Sequence, residues 1–232
     1  MTWPDDYINK IICGDCLEVM KGIPDGAVRL SFMDPPFDIW GLLPKIQAWR
    51  FLYGETIVCM TNYQNKKTVY DLFGDGPHEL VWHFPNGRWV SKKLPLVNHE
   101  HILVYGDRGS ALVGDEILDR TPIKKGKGCI GSDKDVGDRV YTPKSRKQLN
   151  SVIVAPKELN KPLGVWRKPL SVLLPLVEWL TVEGDIILDP FAGSGSMCVA
   201  AKQLGRKYIG IEINPDYCKI AEDRLRQEEL FS

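Results

Sequence analysis

The sequence predicts an α/β protein in which helices cover both faces of a mostly parallel sheet. Three observations indicate this class. Short apolar runs alternate along the chain with stretches of helical periodicity, as in repeated strand–helix units. Two of those runs end abruptly in acidic turns rich in proline or glycine, at Asp34 and at Asp189. The 232 residues, 44% of them hydrophobic and 26% charged, suffice for one domain with a sizeable core.

The individual elements follow from periodicity and from the residues that end each run. Strands are predicted at 10–13, 28–33, 56–60, 79–84, 100–105, 185–189 and 207–211. Helices are predicted at 16–21, 43–52, 65–73, 172–180 and 217–228. Little helix-like sequence separates the runs at 79–84 and 100–105, so they predict an antiparallel hairpin at one edge of the sheet.

The first acidic turn is Asp34-Pro35-Pro36-Phe37, directly after an apolar strand. Proline fixes φ and holds the residue before it extended, so the Asp34 carboxylate and the Pro35 carbonyl should keep one orientation. Two fixed acceptors can bind both hydrogens of an amino group, and the Phe37 ring offers a face for stacking a planar base. An ordinary turn at the end of a strand explains the tetrapeptide equally well when it is taken alone.

The second acidic turn is the segment 185–196, an apolar strand that runs into a glycine-bearing turn and then a helix. Gly193 and Gly195 allow a ligand to approach the backbone, and the following helix N-terminus offers N–H groups to a carboxylate. Cys198 stands where a pyrophosphate-binding fingerprint needs its third glycine. Glu212 ends the next strand about 20 residues later, as suits contact with ribose hydroxyls. The pattern predicts a nucleoside site.

Together these motifs resemble the amino-group DNA methyltransferases that use S-adenosylmethionine. DPPF at 34–37 resembles their catalytic motif, DPFAGSG at 189–195 their cofactor loop, and 209–217 the strand that carries their ribose-binding acid. The catalytic motif comes first, which is the circularly permuted order of the beta class. The resemblance implies a Rossmann-like S-adenosylmethionine-dependent methyltransferase fold, with a seven-stranded, mostly parallel sheet that contains one antiparallel strand.

The resemblance also implies the site residues. Catalysis would fall to Asp34, Pro35, Pro36 and Phe37. Cofactor binding would involve Asp15, Cys16, Asp34, Lys168, Asp189, Pro190, Phe191, Ala192, Gly193, Ser194, Gly195, Ser196, Glu212, Ile213 and Asn214.

Two of these cofactor assignments have competing explanations. Asp15 fits a helix N-cap as well as a contact with adenine. Lys168 would bind the methionine carboxylate, but the leading His-Pro that family members carry before this lysine is missing here. Helix-start chemistry at Pro169 is the competing account of that segment.

A basic segment is the expected DNA contact, because the formal net charge of the chain is zero and positive charge must be concentrated locally. Residues 120–150 contain nine Lys or Arg and three Asp. Phosphate contacts are predicted for Lys124, Lys125, Lys127, Arg139, Lys144, Arg146 and Lys147. A solvated charged loop is the alternative. The whole chain, 1–232, is expected to form one methyltransferase domain with a small target-recognition insertion at about 107–160.

The implied activity is site-specific methyl transfer from S-adenosylmethionine to N6 of adenine in double-stranded DNA, by base flipping and direct transfer. Adenine is favoured because the family associates an Asp-led tetrad mainly with adenine. The alternatives are an N4-cytosine enzyme and a non-catalytic DNA-binding subunit with the same fold. The motif order disfavours RNA and protein-glutamine methyltransferases, and the missing glycine disfavours a nicotinamide oxidoreductase.

The remaining expectations concern partners, metals and location. A homodimer would extend a small recognition region, but no motif indicates one or a companion endonuclease. Cys13 and Cys16 form a lone CxxC pair, so no metal site is expected. No apolar run approaches the ~18 residues of a membrane span, and the N-terminus lacks a signal-peptide pattern. An intracellular protein acting on DNA is therefore expected.

Overall fold

The computed structural model describes residues 1–36, 56–74, 77–88, 96–106, 149, 151–160 and 165–229. The strands within these ranges are β1 (Lys10–Cys13), β2 (Leu30–Met33), β3 (Thr56–Thr61), β4 (His78–Arg88), β5 (Val97–Gly106), β6 (Val152–Val154), β7 (Glu158–Asn160), β8 (Val165–Arg167), β9 (Ile186–Asp189) and β10 (Lys207–Glu212). The helices are α1 (Cys16–Met20), α2 (Lys66–Phe73), α3 (Leu170–Leu180), α4 (Ser196–Gln203) and α5 (Pro215–Glu229).

The main sheet confirms the predicted fold class. Its strand order is β1-β10-β9-β2-β3-β5-β4-β6, and β5 alone runs antiparallel to its neighbours in this described sheet. The sheet has eight strands where seven were expected, because the three-residue β6 adds a parallel strand beside β4. β7 and β8 form a separate antiparallel pair.

Every element predicted from periodicity within the described residues is present. The predicted hairpin is β4 and β5, whose pairing continues to Arg88 and Val97, so its link is shorter than the sequence suggested. The three-residue strands β6, β7 and β8 were not predicted, since so short a run has no measurable period. The helix expected at 43–52 lies outside the described residues. No described helix is both long enough and apolar enough to span a bilayer.

The sheet is buried on both faces along its central strands, which are mostly apolar. All four residues of β2 and all six of β3 are buried. Successive side chains point to opposite faces, so Phe32 joins the core beneath α3, α4 and α5, while Met33 joins the core beneath α1 and α2. Helices therefore cover both faces and leave the sheet ends as the place for a site.

One end of the sheet gathers the residues that follow the strands. β2 pairs in parallel with β9, matching Ser31 with Leu188, and β1 pairs in parallel with β10, matching Cys13 with Glu212. The carboxyl ends of β1, β10, β9 and β2 consequently share one edge, here called the rim. Glu100 lies near the start of antiparallel β5, which brings it to the same edge.

Truncation of Trp82 is expected to destabilise the fold strongly. The indole is 1% exposed, packs on Phe84 and donates from Nε1 to the Ala155 carbonyl at 2.8 Å. Trp82→Ala would create a large cavity and leave that carbonyl without its donor, so the free energy of unfolding should fall by about 3–5 kcal/mol. Chemical denaturation measures this. Tyr63→Ala is the control, because the Tyr63 side chain is 83% exposed. A loss for Trp82→Ala no larger than the control's would contradict the packing described.

Candidate functional site

Asp34, the residue after β2, forms an ion pair with Lys168 across the rim. Lys168 Nζ lies 3.0 Å from Asp34 Oδ2 and 3.1 Å from Glu100 Oε2. Pro35 is buried and Pro36 is exposed, so the backbone after Asp34 leaves the core within two residues. The lysine precedes α3, whose N-cap position is Pro169. It is therefore shared almost equally between two carboxylates of this chain.

Lys157 extends this pair into a row of four alternating charges. Its Nζ lies 2.6 Å from Glu100 Oε1 and 4.2 Å from the centre of the Phe84 ring. The row Asp34–Lys168–Glu100–Lys157, here called the ion chain, is neutral in sum. Every side chain in it is at most one-third exposed. Partial burial strengthens such pairing, and removal of one member would leave a poorly hydrated charge.

The ion chain sets the protonation of its members. Burial raises the pKa of the Asp34 carboxyl, the Lys168 charge opposes that rise, and the Glu100 charge adds to it. Burial alone would lower the pKa of Lys168, but the charges of Asp34 and Glu100 raise it above its ordinary value. Burial would likewise raise the pKa of Glu100, yet Lys168 and Lys157 hold it below its usual range. Lys168 is thus a permanent cation against Asp34.

The glycine turn after β9 requires its glycines. Gly193 has φ 51° and Gly195 has φ 73°, both in the left-handed region that side chains disfavour. A Cβ on Gly195 would also lie 2.8 Å from Cβ of Ala221 on α5. The Gly195 N–H donates to the Ala192 carbonyl at 2.7 Å, which closes the turn. Any substitution at Gly195 would change the turn's shape.

Glu212, at the end of β10, is fixed against the glycine turn by both carboxylate oxygens. Oε2 accepts from the Gly193 N–H at 2.8 Å, and Oε1 accepts from the Asn214 N–H at 2.9 Å. Each carboxylate oxygen can accept more than one hydrogen bond, so both can still receive a ligand hydroxyl. The side chain is held ready for such a contact.

Three carboxyl groups crowd this part of the rim. Burial raises the pKa of Asp189 well above its ordinary value, and the charges of Asp34 and Glu212 raise it further. The hydrogen bond from the Phe191 N–H, at 3.1 Å, acts in the opposite direction and lowers this pKa. Repulsion among the three carboxylates makes this part of the rim unfavourable for an added anion. A cationic ligand would reduce that repulsion.

The first predicted cofactor residues, Asp15 and Cys16, also lie at this edge. Asp15 Oδ1 accepts from the Leu17 N–H at 2.7 Å, so Asp15 is the N-cap of α1, one of its two proposed roles. Its neighbour Gly14 donates to the Glu212 carbonyl at 2.9 Å. Burial, followed by the Asp15 charge, raises the pKa of the Cys16 thiol to about 11. Cys13 is exposed at the end of edge strand β1.

Other predicted cofactor residues fall into two groups. Ile213 and Asn214 are exposed on the rim beyond Glu212. The second group is buried in or below the turn and consists of Pro190, Ala192, Ser194 and Ser196. Both serine hydroxyls contact Arg224 of α5.

Sequence patterns missed Glu100, Lys157 and Arg224. Only Glu100 had a usable sequence signal. In His99-Glu100-His101 the alternation of a strand places the carboxylate on one face of the sheet and the two imidazoles on the other. The two imidazole rings do lie together, with centroids 5.3 Å apart. Phe37 and the predicted phosphate contacts lie outside the described residues. Those contacts are Lys124, Lys125, Lys127, Arg139, Lys144, Arg146 and Lys147.

Comparison with known proteins supports the resemblance of the motifs. The family model described as DNA methylase matches residues 24–223. YubD of Escherichia coli (strain K12) is 30% identical over 94% of this chain and 90% of its own length. The DNA adenine methyltransferase YhdJ of the same organism is 27% identical over 96% of this chain and 84% of its own length.

Solved structures share the fold at low sequence identity. The M1.HpyAVI–SAM complex has a TM-score of 0.60 at 22% identity, covering 93% of this chain and 98% of that one. The PvuII DNA methyltransferase, described as cytosine-N4-specific, has a TM-score of 0.64 at 14% identity, covering 94% of this chain and 88% of that one.

Loss of the Lys168 charge is expected to raise the pKa of Asp34. Lys168→Met would leave the effects of burial and Glu100 unopposed, whereas Glu100→Gln would remove a charge that raises this pKa and so should lower it. NMR titration of the Asp34 carboxyl carbon measures both shifts. Lys21→Met is the control, since Lys21 is exposed and pairs with Glu18. Shifts of the same sign in both variants would refute the ion chain.

Proposed function

The chain belongs to the DNA methylase family, and from that premise we propose that it transfers a methyl group from S-adenosylmethionine to N6 of adenine in double-stranded DNA. The observation that carries this proposal is the meeting of two distant motifs at one edge: Asp34 follows β2, and the glycine turn follows the adjacent parallel strand β9. The Asp34 carboxylate, which can accept hydrogen bonds from an amino group, thus lies beside the glycine turn, which is suited to bind a nucleoside.

The cofactor fits the chemistry of the rim. The Glu212 carboxylate is suited to ribose hydroxyls, and the first N–H groups of α4, which lack partners within the helix, are suited to the methionine carboxylate. S-adenosylmethionine carries a sulfonium and an ammonium, and the crowded carboxyls Asp34, Asp189 and Glu212 favour such cations. When bound, this group supplies an activated methyl group, so no covalent enzyme intermediate is needed.

Asp34 and the Pro35 carbonyl then act on the target amino group. Its nitrogen is a weak nucleophile because its lone pair is delocalised into the ring. Two acceptors that receive both N–H groups draw the nitrogen toward tetrahedral geometry and direct its lone pair, which is catalysis by orientation and electrostatic stabilisation. The Lys168 charge favours the ionised form of Asp34, and in that form the carboxylate can accept a hydrogen bond from the amino group. The Asp34 carboxylate also stabilises the positive charge that develops on the nitrogen, whose proton leaves after transfer.

The target base has to leave the duplex, since its amino nitrogen is inaccessible in the stack; flipping costs a few kcal/mol. Phe37 is proposed to stack on the extruded base, and the basic segment 120–150 to contact phosphates. If so, DNA affinity should fall steeply with added salt.

Adenine is proposed over cytosine because the tetrapeptide 34–37 begins with aspartate and because the relative YhdJ, matched over 84% of its length, is named a DNA adenine methyltransferase. Cytosine N4 is the second candidate, since its amino group offers the same two donors and PvuII methyltransferase shares the fold. Incubation with S-adenosylmethionine carrying a tritiated methyl group, followed by nucleoside analysis of the DNA, identifies the base. Label in N4-methylcytosine would replace the adenine assignment, and unlabelled DNA would overturn the proposed function.

Asp34→Ala and Asp34→Asn should abolish methyl transfer while leaving cofactor binding largely intact. Both variants remove the anionic acceptor; the asparagine keeps the shape of the side chain, which separates charge from packing. Tritium incorporation measures transfer, and calorimetry with S-adenosylhomocysteine measures binding. Turnover by either variant near that of the unaltered protein would eliminate the proposed role of Asp34.

Glu212→Gln should weaken cofactor binding roughly tenfold or more, because the amide places a donor against the N–H of Gly193 or of Asn214. The dissociation constant for S-adenosylhomocysteine is the readout. Asp216→Asn, a change at an exposed acid near the same edge, is the control. Equal affinity in the two variants would argue against a ribose contact.

A further inference from the structure

The C-terminal helix α5 packs directly on the glycine turn. Ala221 of this helix is fully buried, and its Cβ would lie 2.8 Å from a Cβ placed on Gly195. The turn therefore has no room for a side chain at this point. Its conformation depends on Ala221, a residue that lies beyond the last motif singled out in the sequence, 209–217.

Arg224, one turn further along α5, binds three oxygen atoms of the turn through a single nitrogen. Its Nη1 lies 2.5 Å from the Ser194 carbonyl oxygen, 3.1 Å from Ser194 Oγ and 3.1 Å from Ser196 Oγ. Both serines are buried, and buried hydroxyls need partners. A charged donor makes these hydrogen bonds about twice as strong as neutral ones.

The helix dipole does not explain this position for an arginine. Ser196 is the first residue of α4, and a cation at a helix N-terminus is electrostatically unfavourable. The hydrogen bonds to the turn must outweigh that repulsion. The contact is therefore specific to the oxygens it binds.

These bonds fix the orientation of the peptide between Ser194 and Gly195. Its carbonyl oxygen accepts from Arg224, and its N–H donates to the Ala192 carbonyl at 2.7 Å. The preceding part of the turn is held by Glu212, which accepts from the Gly193 N–H. The turn is thus held at two points, by the acid at the end of β10 and by the arginine of α5.

We propose that Arg224 is a positioning residue that holds the glycine turn in the shape that receives the methionine part of the cofactor, an inference that rests on the proposed function. Binding is tighter when a loop needs no ordering at the moment of contact. Arg224 acts through Ser194 and Ser196, whose oxygens it binds. In this proposal these two serines, which the motif predicts to bind the cofactor, are also the acceptors through which α5 holds the loop.

The test compares Arg224→Met with Arg226→Met, a matched control two residues along the same helix. Arg226 is 67% exposed and pairs with Asp223. For Arg224→Met, KM for S-adenosylmethionine and Kd for S-adenosylhomocysteine should rise roughly ten- to hundredfold, as expected for loss of hydrogen bonds to a charged group. The kcat at saturating cofactor and KM for DNA should stay within about threefold of the parent values, because positioning acts on binding of the cofactor.

Arg224→Lys should restore part of the affinity. All three contacts come from one nitrogen, so a lysine ammonium with three donors can replace some of them. Ser196→Ala provides a second route: it should weaken cofactor binding in the parent protein and add little in the Arg224→Met background. If Arg224→Met fails to fold, Arg224→Lys and Ser196→Ala in the parent protein still test the proposal, and parent-like cofactor affinity in both would overturn it.

A parent-like KM for cofactor in Arg224→Met, or losses from Ser196→Ala that add fully to it, would overturn the proposal. An equal fall in kcat with every substrate, at unchanged KM, would also overturn it. Failure of the proposed function looks different: the unaltered protein would bind S-adenosylhomocysteine but transfer no methyl group to DNA.

Discussion

The parallel pairing of β2 with β9 is the constraint on which the site depends. It joins a strand from the first part of the chain to one near its end, in a register that matches Leu30 with Ile187. Asp34 and the glycine turn then emerge side by side, although they are far apart in sequence. Burial of β2 on both faces fixes this register, because a shift of one residue would exchange its two core faces.

The rim combines two charge arrangements with different tasks. In the ion chain, lysines and acids alternate, so each half-buried charge has a partner and Asp34 is held beside a permanent cation. Around the glycine turn the acids Asp189 and Glu212 face no such row of lysines in the described residues, and burial and mutual repulsion raise the pKa of Asp189. One part of the edge is suited to hold an acceptor, and the other to receive a cation.

The fold class, the seven longer strands and the two acidic turns could be predicted from the sequence, because each has a local cause. Apolar periodicity marks the strands, and proline and glycine mark the turns after β2 and β9. Lys157 and Arg224 carried no local signal, since their partners at the site are distant in sequence. The eighth strand of the main sheet, β6, was not predicted because three residues are too few to show a periodic pattern. Nor did the sequence indicate that the hydroxyls of Ser194 and Ser196 accept hydrogen bonds from Arg224.

The most direct test of the central claim is a crystal structure of the chain with S-adenosylhomocysteine bound. We expect the ribose hydroxyls to lie on the Glu212 carboxylate, the amino-acid carboxylate at the N-terminus of α4, and the sulfur facing Asp34. A ligand bound elsewhere, or bound here with its sulfur directed away from Asp34, would contradict this arrangement. The two distant motifs would then not form one site.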